Sequence, residues 1–307
     1  MIYTITQSPV LNRTFEVEQT VYDDVNEIVK EGNSPGGKGI DVSRVIRELG
    51  GQSVALGFIG GYNGLEVEGR LVNEGILCDF TRINDEIRST ITIYQRKKNL
   101  QTLLSTSAPE VRPFEVSALY NKIREVPGDS YVVLGGTMPP GMSDSFFAQL
   151  ITTLKEKGVR VILDADHGVL SSGVNAGPFL IKPNIHEFGR LVGTSITDLG
   201  EIVEKAQPLL AMVDNIVVSA GARGAIGVCR EGSYHAAPPG VKVRSPVGAG
   251  DSLVAGIVFE LSKGGSLEES LALGVACGTA STLIPGNGLC TKEDIDIIKK
   301  DVIIKKF

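Results

Sequence analysis

Short apolar runs alternate with helix-period stretches along most of the chain, and this rhythm decides the fold class. Residues 53–59 (SVALGFI), 131–134, 159–163, 179–181 and 216–219 are near-continuous and rich in Val and Ile, as strands covered on both faces must be. Between them, 40–49, 65–74, 144–157 and 199–210 carry apolar residues at helical spacing. A βαβ succession follows, and with it an α/β domain: a mostly parallel central sheet with helices on both faces. At 307 residues the chain suits one large domain over 1–307. Ligands of such sheets gather beyond the carboxyl ends of the strands.

Two stretches break the rhythm. Residues 14–29 alternate and carry many acids, and 89–105 read as two extended segments around Lys97-Lys98-Asn99. Both resemble antiparallel strands with one solvated face. They are expected to pair into a small sheet outside the main one, from segments of about 12–34 and 88–108, serving as a lid, a dimer contact or a decoration.

A net charge of −6 excludes a protein that coats nucleic acid. Cys78, Cys229, Cys277 and Cys290 are far apart with no C-x-x-C pairing, which predicts neither a zinc site nor a disulfide framework and points to the reducing cytoplasm. The first residues alternate like a strand and lack signal-peptide character. The longest weakly polar run, 271–284, is too short and too rich in Ser, Thr and Gly to cross a bilayer.

Glycine is in excess: 37 residues, well above the usual ~7%, with no Gly-X-Y period that would signal collagen. Much of it sits where strands end. Gly248-Ala249-Gly250-Asp251 opens a helix whose free N–H groups form a ready anion site. Asp251 there suits a base that takes a proton from an attacking hydroxyl, or a helix N-cap. Pro35-Gly36-Gly37-Lys38-Gly39 lacks the P-loop pattern; it lets backbone approach a ligand such as a sugar, with Asp41 placed to bind hydroxyls, or is simply a tight turn. Gly60-Gly61-Tyr62-Asn63-Gly64 is a third, less specific turn. Asn184 and Glu187, three apart after Lys182-Pro183, can hold Mg²⁺ through water or form a helix cap; His186 reads as a surface residue. Ser219 to Gly224 suits a nucleotide tail or a hairpin. No Gly-x-Gly-x-x-Gly follows the first strand, which disfavours a dehydrogenase.

Taken in order, Gly36-Gly37-Lys38-Gly39, Gly135-Gly136-Thr137-Met138-Pro139-Pro140-Gly141, Lys182-Pro183-Asn184 with Glu187, the 219–224 loop and Gly248-Ala249-Gly250-Asp251 closely resemble the ribokinase-like (PfkB) carbohydrate kinases over essentially the whole chain. The opening Ile5 to Thr14 is most similar to the branch acting on phosphorylated ketohexoses. The resemblance implies a three-layer α/β/α sandwich with a small β lid, a homodimer clasped through the lid, and ATP- and Mg²⁺-dependent phosphorylation of a sugar phosphate. Fructose 1-phosphate, giving fructose 1,6-bisphosphate, is the expected substrate, with tagatose 6-phosphate and fructose 6-phosphate as neighbouring choices; a kinase of an unphosphorylated sugar or nucleoside comes next.

The resemblance assigns Asp251 as base and the amides from Gly248 through Ala249 and Gly250 to the transferring phosphoryl group. It places Lys182, Asn184, Ser219, Gly221, Gly224 and Gly250 at the nucleotide and Asn184 with Glu187 at Mg²⁺. Asn12, Gly37, Lys38, Asp41 and Thr137 fall at the sugar. Arg88 matches the arginine for the phosphate already on it, a role suited to a guanidinium fork. A non-catalytic sensor on the same fold would not need Asp251.

The chain departs from the branch in places. Asn12 and Asp41 reverse the branch's usual Asp and Asn, which predicts that one sugar meets the same two groups in exchanged positions. The 102–109 segment lacks the usual Glu and Gly-Pro, and Val25 stands where some members carry a lysine.

Overall fold

The computed structural model describes residues 1–143 and 145–307; Asp144, where periodicity predicts a helix start, lies outside the described residues. Among them, ten strands hydrogen-bond in the order Ile303–Lys306, Gly232–Ala237, Ala225–Cys229, Asn215–Ser219, Leu180–Ile181, Arg160–Asp164, Tyr131–Gly135, Ile2–Thr6, Ser53–Ile59 and Leu77–Cys78, and Thr81–Arg82 also joins Ser53–Ile59. Pairings from Asn215–Ser219 onward are parallel. The first three are antiparallel.

Alternation along these strands feeds two cores. Ile5, Val132 and Leu134 pack with Val67, Leu119, Phe147, Leu170, Phe188 and Ile202 from helices Gly61–Asn73, Pro113–Arg124, Phe146–Glu156, His167–Asn175, Ile185–Val192 and Leu199–Ala206. Ile2, Tyr131 and Val133 pack on the other face with Val45, Val254, Leu271 and Ile295 from helices Lys38–Glu48, Ala249–Ser262, Leu267–Ser281 and Lys292–Lys300. The molecule is a three-layer α/β/α sandwich with a mostly parallel sheet.

Helix bounds differ from the periodic pattern where chemistry intervenes. The helix expected at 199–210 stops at Ala206 and tightens into a 3-10 turn, Gln207–Ala211, where Pro208 removes a backbone donor. The expected 40–49 helix starts earlier, at Lys38, because Thr6 Oγ1 accepts the Ile40 N–H at 2.9 Å and caps it from the neighbouring strand. The glycine turn at 60–64 is mostly helix, since Gly61 opens Gly61–Asn73.

A separate four-stranded sheet joins Lys30–Gly36, Val10–Val17, Arg88–Gln95 and Leu100–Ser105 in that order. Its centre corrects the expectation of antiparallel pairing: Val10–Val17 runs parallel to Arg88–Gln95. The alternation over 14–29 is also not one strand. The strand ends at Val17, and Asn26 folds the acidic stretch into a loop by bonding both the N–H and the C=O of Val21.

Candidate active site

The carboxyl ends of the parallel strands bring together residues that are far apart in sequence. Asp164 ends its strand and is 2% exposed. Lys38 Nζ lies 3.0 Å from Asp164 Oδ2 and donates to the Asp164 carbonyl at 3.3 Å. Lys182, 4% exposed, places Nζ 3.2 Å from Asp164 Oδ1, an ion pair without hydrogen-bond alignment. Burial pushes the Asp164 carboxyl up, but the two ammoniums outweigh it and hold it below the usual range. For Lys38, burial works against the charge; Asp164 and then Asp251 overcome it and raise its pKa. Asp164 was not among the expected site residues. The signal was a carboxylate directly after a buried apolar run, at the end of the sheet where ligands bind.

Asp251 stands opposite this triad. Its helix, Ala249–Ser262, is apolar on all sides because it lies between Lys38–Glu48 and Leu267–Ser281. Gly256 meets Gly274 so closely that an added Cβ would come 2.8 Å from the Gly274 Cα. A buried hydroxyl pair, Ser252 to Ser281 at 2.6 Å, anchors the first turn. Gly248, not Asp251, is the N-cap; its φ of 78° is the left-handed region where glycine is favoured. The first ladder bond runs from Ser252 N–H to Gly248 O at 2.9 Å. Among the described residues, the N–H groups of Gly250 and Asp251 therefore remain free, an anion site in the sense of a helix start. A Cβ on Gly250 would lie 3.8 Å from Lys182 Nζ, so the lysine reaches the same space.

The cap reading of Asp251 thus gives way to that of a carboxylate with no ion pair among the described residues. Burial, then repulsion from Asp164, pushes it up to about 7, against the pull of Lys38 and Lys182. A group with that pKa is suited to take up a proton near neutrality.

Asn12, Gly37 and Asp41 converge on one side. Gly37 has φ 123°, and a Cβ there would fall 2.6 Å from the Thr6 methyl. Its N–H points to Asp41 Oδ2 at 3.4 Å, while Asn12 Nδ2 crowds the space beside Gly36. Burial and then the charge of Asp251 drive the Asp41 carboxyl well above its ordinary range, opposed by Arg44 and the Gly37 N–H. Thr137 is exposed just past the strand Tyr131–Gly135. Arg88 begins its strand opposite Val10. It is half-buried, has no acidic partner among the described residues, and leaves Nε unbonded; burial alone lowers its pKa.

On the other side, Asn184 and Ser219 form a parallel bridge. Asn184 Oδ1 accepts the N–H groups of His186 and Glu187, each at 2.9 Å, and Glu187 Oε2 accepts the Asn184 N–H at 2.8 Å. This is a complete capping box, so Asn184 Oδ1 has spent both lone pairs. Glu187 Oε1 takes no part in it. Gly221 and Gly224 bound the single 3-10 turn Gly221–Arg223 that closes the hairpin from Asn215–Ser219 to Ala225–Cys229. His186 is exposed.

The model of the pfkB family carbohydrate kinases matches residues 8–294. A 1-phosphofructokinase of Borreliella burgdorferi is 32% identical over 96% of this chain and 95% of its own. A tagatose-6-phosphate kinase of Staphylococcus epidermidis is 30% identical over 98% of both. The crystal structure of phosphofructokinase-2 from Escherichia coli in complex with potassium superposes with a TM-score of 0.91, at 31% identity over 98% of both chains. With relatives aligned almost end to end and the family model spanning nearly the whole sequence, the chain belongs to the pfkB family of carbohydrate kinases.

Proposed function

We propose that this kinase transfers the γ-phosphoryl group of ATP to a hydroxyl of a phosphorylated ketohexose, fructose 1-phosphate first, giving fructose 1,6-bisphosphate. The observation that carries the sugar-phosphate reading is Arg88: a half-buried guanidinium with no acidic partner among the described residues is costly unless an anion meets it. Relatives named for fructose and tagatose phosphates lend support.

Asp251 takes the proton of the attacking hydroxyl, and the free amides of Gly250 and Asp251 face the phosphoryl group as its charge develops. Lys38 and Lys182 supply positive charge beside them. Asp41, pushed toward its neutral form, both donates and accepts at a sugar hydroxyl, much as an amide would, while Asn12 supplies the second polar contact. Mg²⁺ neutralises phosphate charge when bound with the nucleotide. Glu187 Oε1 fits it through water, whereas Asn184 serves by fixing Glu187 rather than as a ligand.

The small sheet is read as a lid and as the surface through which two copies pair. Leu100, Leu103 and Leu104 are 53%, 63% and 54% exposed along its outer strand, more apolar surface than a lone strand leaves in water without a partner. No helix among the described residues is long and apolar enough to cross a membrane; the wide spacing of the four cysteines in the sequence is what favours a reducing, cytoplasmic setting.

The test is ADP release with fructose 1-phosphate, fructose 6-phosphate, tagatose 6-phosphate, free hexoses, ribose and nucleosides. The expected order has a sugar phosphate at least tenfold ahead in kcat/KM. Equal or better turnover of a free sugar or nucleoside would reject the assignment of Arg88.

A further inference from the structure

The central strand Ile2–Thr6 delivers one more polar side chain to the active-site edge of the sheet. Gln7 is 1% exposed, and among the described residues neither its Nε2 nor its Oε1 has a hydrogen-bond partner. An amide enclosed in this way costs stability, and folded proteins seldom keep one without a use.

Its place suggests the use. Thr6 pairs with Gly135, so Gln7 lies abreast of Gly136. A Cβ on Gly136 would sit 3.7 Å from Gln7 Oε1, the one atom near it. Gly136 has φ 106° and leads directly into Thr137. On the other flank, Thr6, Ser8 and Pro9 pack against Gly37. Three residues further on, Val10 pairs with Arg88, whose Nε is likewise buried and unbonded. Gln7 therefore lies between the two glycine loops at the sugar side, three residues along the chain from the position that pairs with Arg88.

We propose that Gln7 is a positioning residue for the sugar phosphate: on binding, the Gly136–Thr137 peptide turns to hydrogen-bond the Gln7 amide and thereby seats Thr137 against the sugar. This rests on the assignment of Thr137 and Arg88 to the sugar phosphate. Glycine at positive φ lets the peptide rotate at low steric cost. The amide offers a donor and an acceptor, so it accommodates the peptide's C=O or N–H. An unpaired group in the empty protein that becomes paired in the complex adds to the affinity for the substrate. Gln7 touches no reacting atom, and its effect falls on binding rather than on the chemical step.

The experiment compares wild type with Gln7→Leu, of similar volume without the polar atoms, and Gln7→Met, which is also unbranched at Cγ. Melting temperature is read without ligand, and KM and kcat for ATP and for the sugar phosphate that wild type prefers. Expected are a higher melting temperature in both variants, a sugar-phosphate KM raised about tenfold, and an ATP KM and kcat within about twofold of wild type. An unchanged sugar-phosphate KM overturns the proposal, and so does a lower melting temperature, which would mean that the amide is already satisfied in the empty protein. Wild type idle on every sugar phosphate removes the substrate reading and this inference together. Wild-type turnover with an unmoved KM in the variants removes this inference alone.

Discussion

The two sheets are made on opposite terms. In the central sheet, Tyr131–Gly135 is buried residue after residue and its two neighbours at all but one position each, between two apolar cores. In the small sheet, every residue of Leu100–Ser105 is exposed, and Arg88–Gln95 buries a single position fully, Thr92. The first is held by what it covers on both faces. The second has almost no core of its own and depends on its ladder bonds, on ion pairs such as Arg96 with Glu16 at 2.7 Å, and on whatever comes to cover it. On the proposed function, fixed geometry for proton and phosphoryl transfer belongs with the first and a lid or contact surface with the second.

Variants can break or sharpen that contrast. Asp251→Asn carries the largest expected effect, a loss in kcat of about a thousandfold or more with ATP still bound, since the proton acceptor goes and the amide site stays. Wild-type kcat/KM should fall about tenfold per pH unit below about 7, because the base works deprotonated and burial holds its pKa there. The sign for stability is opposite. A carboxyl raised from 3.8 to about 7 on folding adds stability that is complete below 3.8 and is lost as pH rises through 7. At pH 8, Asp251→Asn should therefore melt higher than wild type while turning over far less. A variant that is both active and less stable would remove Asp251 from this role.

Asp164→Ala comes next. It leaves Lys38 and the buried Lys182 without their shared carboxylate, which should cost about 3–5 kcal/mol in denaturant unfolding. A cost below about 1 kcal/mol would show that the triad contributes little to the rigidity of the central sheet. Arg88→Ala, at the root of the small sheet, should raise KM for a sugar phosphate by about tenfold or more and leave that for an unphosphorylated sugar nearly unmoved. The smallest effect on the fold belongs to Leu103→Asp with Leu104→Asp. Unfolding of the monomer should change by no more than about 0.5 kcal/mol, while sedimentation should show the proposed dimer, present in wild type, lost. A large loss of stability in the monomer would mean that the small sheet has a core after all.

The central sheet was legible in the sequence because burial on both faces writes an unbroken apolar run, and 53–59 matches its strand end to end. The small sheet was harder to read, since strands with a face in water write no unbroken apolar run, and the alternation that remains does not say which neighbour a strand meets or in which direction. Hence the parallel pairing of Val10–Val17 with Arg88–Gln95 was not foreseen. At the site, glycine loops pointed to the strand ends, and motif order supplied the expected roles of the residues there. Asp164 escaped because its importance lies in two lysines, 38 and 182, that no spacing rule connects to it. The capping box at Asn184 was one of two open readings, and the hydrogen bonds show it formed.

The lysine–aspartate triad has a consequence for the way the nucleotide arrives. With Asp164 already pairing with both Lys38 and Lys182, the cleft is not a bare cationic funnel that collects ions from solution. If both lysines meet the nucleotide as proposed, incoming phosphates would share two ammoniums with an internal carboxylate instead of displacing a cloud of bulk anions, so nucleotide affinity should depend only weakly on ionic strength. On that proposal the same carboxylate would be on hand to reclaim both lysines when ADP departs, a built-in counter-ion that favours turnover over tight retention of product.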